Sequence, residues 1–339
     1  GATDVGSVTR LNDTERLEVL RGPQGTAFGR NVVAGAINIT SQSPDPDELY
    51  GTVAGGVENF GGYDVFGLLN IPITDDTAAR VSAYWDHTDG HIKNIGPAGG
   101  RNSLDDYGLR VAVQSKPTDR MTLKGSLSYE TRDLNNTNAV TDGLLRGFAE
   151  QSVAPGGPSE GLFPTIPNQF FPDTNEITAT DVSEEAVVDH LIAIGRLDYQ
   201  MEGKTLVWVS GYIRSLDSAI NDIDATPIDG GVTHRESVDS FTSTELRLQS
   251  NDNQRVQWVA GIYAGRADTD IRGEVNIGAV GGSGVGLPFL DNQQLEAVTQ
   301  ENTQIGYAVF GDVDVAFSDR LNVLLGARYN WDRVAYETR

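Results

Sequence analysis

The sequence predicts an all-β protein: a transmembrane antiparallel β-barrel wall of about eleven strands, preceded by the end of a small α/β unit. Three observations carry that prediction. Beyond residue 48, apolar and polar residues alternate with period two to the end of the chain, as half-buried strands require. The connections between these segments are tight at every second joint and mostly long at the others, the loop pattern of an outer-membrane barrel. No run approaches the ~18 apolar residues of a membrane helix, so any spanning segment has to be a strand.

The first element is residues 16–40, RLEVLRGPQGTAFGRNVVAGAINIT. Residues 16–21 read as a short strand, with Leu17 and Val19 on one face and Glu18 on the other. Gly22-Pro23 stops it, because proline has no N–H for a ladder and glycine tolerates the turn. Residues 26–33 can make one or two helical turns, which put Phe28 and Val32 on one face. Gly35 ends them, and residues 36–40 alternate again as a second strand. The glycines at 22, 25, 29 and 35 fit neither dinucleotide-binding nor P-loop spacing. Residues 41–48, SQSPDPDE, are a polar linker stiffened by Pro44 and Pro46. We divide the chain there, into 1–43 and 44–339.

Eleven alternating segments follow, near 49–58, 63–71, 78–89, 104–115, 120–132, 187–200, 204–216, 239–250, 255–267, 302–317 and 320–336. Most meet the ~9–11 residues of a membrane strand. In 121–132, Met121, Leu123, Gly125, Leu127 and Tyr129 share one face, and Lys124, Ser126, Ser128, Glu130 and Arg132 the other. Residues 321–331 repeat the pattern, with Leu324 as the exception. The tight joints are 72–77, 116–119, 201–203, 251–254 and 318–319; the long ones are 90–103, 133–186, 217–238 and 268–301, and 59–62 is short. All four tryptophans fall inside predicted strands, which suits an interfacial girdle.

The net charge of −23 argues against nucleic-acid binding, which needs a basic footprint. Most of it sits in three long connections: 133–185 has nine acids against Arg146, 217–240 six against Arg235, and 268–301 six against Arg272. Solvation and mutual repulsion of exposed loops account for this; so would divalent cations held at a lipopolysaccharide surface, or a preference for a neutral or cationic ligand. Asn221, Asp222, Asp224 and Asp229 are the densest group, without calcium-loop spacing. Residues 155–172 hold five of the thirteen prolines with Phe163, Phe170 and Phe171, fitting either a ligand lip or a floppy loop.

No catalytic pattern occurs. His87 and His91 are four apart, but on a strand that separates them by more than ~13 Å. His190 falls mid-strand and His234 in a predicted loop; with no cysteine and no HExxH, neither a metal site nor a cofactor is expected. There is no GxSxG, and no enzymatic activity is expected. Lys124, Glu130, Arg132, Arg196, Asp198, Glu245, Arg247 and Arg328 face the barrel interior, where water or an inserted domain suffices as partner.

The 16–40 segment resembles the carboxy-terminal end of the plug domain of TonB-dependent outer-membrane receptors. The resemblance rests on Leu17-Glu18-Val19-Leu20-Arg21-Gly22-Pro23-Gln24-Gly25, on Phe28-Gly29-Arg30-Asn31, and on Gly35-Ala36-Ile37-Asn38-Ile39. Within it the plug motif is Arg21, Gly22, Pro23, Gly25, Phe28, Gly29, Asn31 and Gly35. Ala34 stands where a second glycine is usual, and Val32-Val33 is bulkier than the common residues.

The resemblance implies a chain that starts inside the plug and continues into about the first half of a 22-stranded barrel. It also implies location in the outer membrane among phospholipid and lipopolysaccharide. The implied activity is uptake of a scarce nutrient, most often a ferric siderophore, driven by TonB and its inner-membrane complex. Glu18, Arg21 and Arg30 are the candidates for polar contacts between plug and wall, or equally for local plug structure. A passive porin or structural barrel, and a soluble carbohydrate-binding β-protein, are the other classes the pattern leaves open. If half a barrel is present, the sheet should be open, with free edges near residues 52–57 and 330–336 and with residues 16–40 against its concave face.

Overall fold

The computed structural model describes residues 13–22, 35–135, 177–223, 227, 229–251, 255–279, 292–318 and 321–338. Every regular element among them is a strand. The first two, β1 (Thr14–Arg21) and β2 (Gly35–Ser41), form an antiparallel pair in which Leu17 faces Ile39 and Val19 faces Ile37. The expected helical turns at 26–33 lie outside the described residues. Gly35 has φ +150, and a Cβ there would run into the Leu20 carbonyl oxygen, so the tight entry to β2 requires glycine.

Eleven strands make the large sheet: β3 (Tyr50–Val57), β4 (Tyr63–Thr74), β5 (Thr77–Thr88), β7 (Leu104–Thr118), β8 (Met121–Asn135), β10 (Glu185–Met201), β11 (Lys204–Asp222), β12 (Gly231–Ser250), β13 (Val256–Ile277), β14 (Gln294–Ser318) and β15 (Leu321–Thr338). Each pairs antiparallel with its neighbours in chain order, and the sheet runs from β3 at one edge to β15 at the other. It is open: β3 and β15 do not pair. A further parallel pair, β6 (Lys93–Asn94) with β9 (Ile177–Thr178), joins two of the long connections.

Register assigns the two faces. Asn70, Arg80, Ala112, Ser126 and Ile194 stand in one row across β4, β5, β7, β8 and β10. The neighbouring row, on the opposite face, is Leu69, Val81, Val111, Leu127 and Ala193. On the second face Leu109, Leu127, Ile262, Val309 and Leu325 are exposed, far more apolar surface than a soluble protein shows. Aromatic residues border it at two levels. Trp85, Tyr107, Tyr129, Tyr307 and Trp331 lie toward the long connections, and Tyr199, Trp208, Trp258 and Phe317 toward the tight turns. An apolar band between aromatic girdles is the exterior of a transmembrane barrel. Leu324, the break in the alternation, faces the interior beside Asp314.

The strands are longer than alternation alone indicates. β12 starts at Gly231 rather than 239, β13 continues to Ile277 rather than 267, and β14 begins at Gln294 rather than 302. At ~3.3 Å per residue, the 25 residues of β14 far exceed a ~30 Å hydrocarbon core. The backbone ladder therefore continues beyond the apolar band. There the polar residues of β12 and β14 fall on both faces, and in β13 the sense of the alternation is reversed, with Asp268, Asp270, Arg272 and Glu274 outward and Ile271, Val275 and Ile277 inward, while the hydrogen bonds stay intact. Acids assigned to loops, such as Asp217, Asp222, Asp268 and Asp270, stand on strands.

Candidate functional site

The interior face of β4, β5, β7 and β8 holds the β1–β2 hairpin and the linker that follows it. Asp13, one residue before β1, closes the hairpin by accepting a hydrogen bond on its backbone oxygen from the Gln42 N–H at 2.9 Å. Its carboxylate enters the wall. Arg80 on β5 donates from Nε to both carboxylate oxygens at 3.0 and 3.1 Å and from Nη2 to Oδ1 at 2.6 Å. Arg110 on β7 donates from Nη1 to Oδ2 at 3.1 Å. The side chains of Asp13 and Arg80 are only 8% and 4% exposed. Arg80 is completed by Tyr50 of β3, whose hydroxyl accepts from Nη1 at 2.7 Å and whose ring lies 5.5 Å beneath the guanidinium.

The linker is laid along the same rows. Gln42 O accepts from Arg110 at 3.4 Å, Ser43 Oγ from Lys124 at 3.0 Å, and Pro44 O from Gln114 at 3.4 Å. Asn70, fully buried, donates to the carbonyls of Asp45 and Glu48 at 2.8 and 2.6 Å and accepts from the Asp45 N–H at 2.9 Å. Alternation on β4, β5, β7 and β8 points each of these polar side chains inward, so the wall satisfies a segment that has no ladder of its own. Beside the hairpin is a cavity of about 210 Å³, lined on one side by Asp13, Ile39 and Ser41 and on the other by Tyr84, Ser126, Glu130 and Ile194.

The candidates chosen from sequence are placed differently. Glu18 accepts a hydrogen bond from Asn38 at 2.8 Å and pairs with Arg16 at 3.2 Å, both within the hairpin. Arg21 is exposed at the end of β1 beside Gly22, which has φ +84. Gly35 opens β2. Arg30, with Pro23, Gly25, Phe28, Gly29 and Asn31, lies outside the described residues. Among the described residues, the contacts between hairpin, linker and wall are made by Asp13, Asn70, Arg80 and Arg110, with Gln114 and Lys124. The available signal was one arginine on each of two adjacent predicted strands, turned to the interior face.

Other interior charges pair within the wall. Arg132 binds Asp106 at 2.7 Å, Arg196 binds Asp198 at 2.7 Å, and Arg247 binds Glu245 at 3.1 Å. Arg328 lies over the rings of Tyr263 and Phe310 and donates to Asn330 at 2.9 Å. His87, at the outward end of β5, contacts Asp105 at 2.9 Å and stacks on Tyr63. Among the described residues no group of three His, Asp or Glu side chains is arranged to hold a metal ion.

At the long-connection side, β6 and β9 clamp two loops together. Asn94, 2% exposed, donates to Thr180 Oγ1 at 2.8 Å and accepts from the Thr180 N–H at 3.0 Å. Glu184, also buried, has its carboxyl pushed up by burial, against a smaller opposing hydrogen bond from the Asp222 backbone.

No family model matches the chain. The pesticin receptor of Yersinia pestis is 34% identical over 322 residues, covering 73% of this chain and 46% of that protein. The catecholate siderophore receptor Fiu of Escherichia coli K12 is 35% identical over 92 residues, 26% of this chain and 12% of that protein. Among solved structures, the ferric yersiniabactin uptake receptor FyuA of Yersinia pestis superposes with a TM-score of 0.74 at 17% identity, over 96% of this chain and 45% of that one. The Fiu structure superposes with a TM-score of 0.68 at 14% identity, over 96% of this chain and 51% of that one. The chain thus spans about half the length of the curated relatives it matches. With the open antiparallel wall, its girdled apolar exterior and a hairpin seated on the interior face, the chain belongs to the TonB-dependent outer-membrane receptors.

Proposed function

We propose that the receptor containing this chain takes up a ferric siderophore across the outer membrane, powered by TonB and its inner-membrane complex. In this reading residues 1–43 are the end of the plug and 44–339 about the first half of the barrel wall. The observation that carries it is the seal between hairpin and wall: a buried carboxylate held by two arginines, with the linker hydrogen-bonded to three strands, β4, β7 and β8. A passive pore has no use for a domain fixed this firmly inside its lumen. A receptor that opens only when work is done on its plug needs contacts that hold at rest and break under load. The names of the relatives support a siderophore as the cargo. Enzymatic chemistry has no place in this reading, and lipid and lipopolysaccharide surround the exterior band.

The test is uptake of iron-55 by cells whose other siderophore receptors are deleted and which express the full-length protein. Ferric yersiniabactin and a ferric catecholate are the probes, each with and without TonB. Uptake of one of them that requires TonB is the expected result. TonB-independent entry of both, or of unrelated small solutes, would favour a passive barrel.

A further inference from the structure

The interior cations of the wall are not all neutralised in the same way. Arg132, Arg196 and Arg247 each pair with an acid of the wall itself, Asp106, Asp198 and Glu245. Arg80, Arg110 and Lys124, on the neighbouring strands β5, β7 and β8, have no wall carboxylate among the described residues. Their oxygen partners come from the hairpin and linker: the Asp13 carboxylate, Gln42 O and Ser43 Oγ. Arg80 also has the Tyr50 hydroxyl.

Register sets these three cations on a staircase. Arg110 stands in the row of Ser82, Ser128 and Ile192. Arg80 is in the next row toward the tight turns, with Ala112 and Ser126, and Lys124 in the row after that, with Ala78, Gln114 and Arg196. Successive rows on one face are ~7 Å apart, so the cations descend by ~13 Å toward the tight turns, the periplasmic side of such barrels. The cavity of about 210 Å³ adjoins the top step, where Arg110, Ser82, Ser126 and Ser128 line it together with Asp13. Glu130, also in its lining, stands one row further out than Arg110.

We propose that Arg110, Arg80 and Lys124 form an anion path for the iron chelate, which Asp13 occupies at rest and vacates when the hairpin is drawn away. The inference rests on the uptake reading above and names the chemical class selected: a chelate bearing carboxylate or catecholate oxygens. Withdrawal of hairpin and linker takes Asp13, Gln42 and Ser43 away together, so the three cations lose these partners in one movement. Left without counter-ions they attract an anionic solute, and the fork of Arg80 accepts a carboxylate by the two-oxygen contact it now makes with Asp13. While the hairpin is seated, its tethered carboxylate excludes a dilute anion by effective concentration alone. The path is therefore shut at rest and becomes cationic only when the hairpin moves.

Two measurements on the full-length receptor test this. In detergent, Asp13→Gly leaves an acetate-shaped gap between Arg80 and Arg110, and amides of β1 and β2 should exchange faster than in the wild type. At constant ionic strength, replacing chloride with ~100 mM acetate should restore their protection about tenfold, as a ligand with a Kd of ~10 mM does. Adding Arg80→Gln to Asp13→Gly should abolish the rescue. In cells, Lys124→Gln leaves the Asp13 site intact and should lower the maximal rate of TonB-dependent iron-55 uptake about fivefold, with the half-saturating concentration unchanged. Lys124→Arg should keep the wild-type rate, and unchanged heat-modifiable gel mobility certifies that each variant is folded. No rescue by acetate, or rescue that survives Arg80→Gln, overturns the anion site; a wild-type maximal rate in Lys124→Gln overturns the path. Absence of TonB-dependent uptake by the wild type would sink the uptake reading and the cargo role with it, and is told apart because acetate rescue does not depend on transport.

Discussion

Removing Arg80 is the perturbation that most directly tests the seal. Asp13 is buried and receives three hydrogen bonds from Arg80, against one from Arg110 at 3.1 Å. Arg80→Ala leaves the carboxylate in place with only the weaker partner, and it also leaves the Tyr50 hydroxyl without its donor. Breaking a buried ion pair from one side costs ~3–5 kcal/mol, because the remaining charge stays desolvated. Arg110→Ala should cost clearly less, since the denser contact with Arg80 survives. At ~1.4 kcal/mol per factor of ten, the Arg80 change should speed hairpin opening by roughly two to three and a half orders of magnitude. The assay is amide hydrogen exchange of Thr14–Arg21 and Gly35–Ser41 in the full-length receptor in detergent. The wall strands β10–β12 serve as the internal control. A cycle with Asp13→Asn completes it: the double variant should be little worse than Arg80→Ala alone. Additive effects, or exchange within threefold of wild type for Arg80→Ala, would refute the claim that this pair holds the hairpin to the wall.

Three further outcomes follow from the geometry. Leu127→Arg puts a cation on the exposed outward face and should cost ~2–4 kcal/mol on folding into lipid vesicles, whereas Ser126→Arg, lining the interior cavity, should cost less; equal penalties would reverse the facing assignment. Asn94→Ala removes the side-chain hydrogen bonds that Asn94 makes with Thr180 and should destabilise the clamp between the two long connections by ~1–3 kcal/mol, read as faster proteolysis near residues 177–184. Glu184 titrates above the ordinary glutamate range when folded, so its favourable contribution is complete below that range and is lost as pH rises through the folded value. Protection factors near Glu184, taken relative to the intrinsic rise of amide exchange with pH, should therefore fall across that window, and Glu184→Gln should flatten the dependence.

Alternation and turn chemistry made the wall legible before any coordinates. The period of two is local, and a sheet with lipid on one side and a wet interior on the other leaves little freedom in which residue faces where. Leu127 and Ser126 were therefore assignable from 121–132 alone, and the eleven segments matched eleven strands. Strand ends were less legible, because above the apolar band the outward face turns polar while the ladder persists, as in β12–β14. The seal lay beyond local reading altogether. Asp13 meets Arg80 and Arg110 across 67 and 97 residues, and nothing in its neighbourhood distinguishes it from the chain's other acids. Glu18 and Arg21 stood out because they sit in a recognisable motif, yet the contacts of Glu18 fall within the hairpin. Which carboxylate is buried depends on where the hairpin comes to rest against the wall, and only the tertiary structure decides that, since desolvation of a charge is a property of the assembled interface and not of the sequence around it.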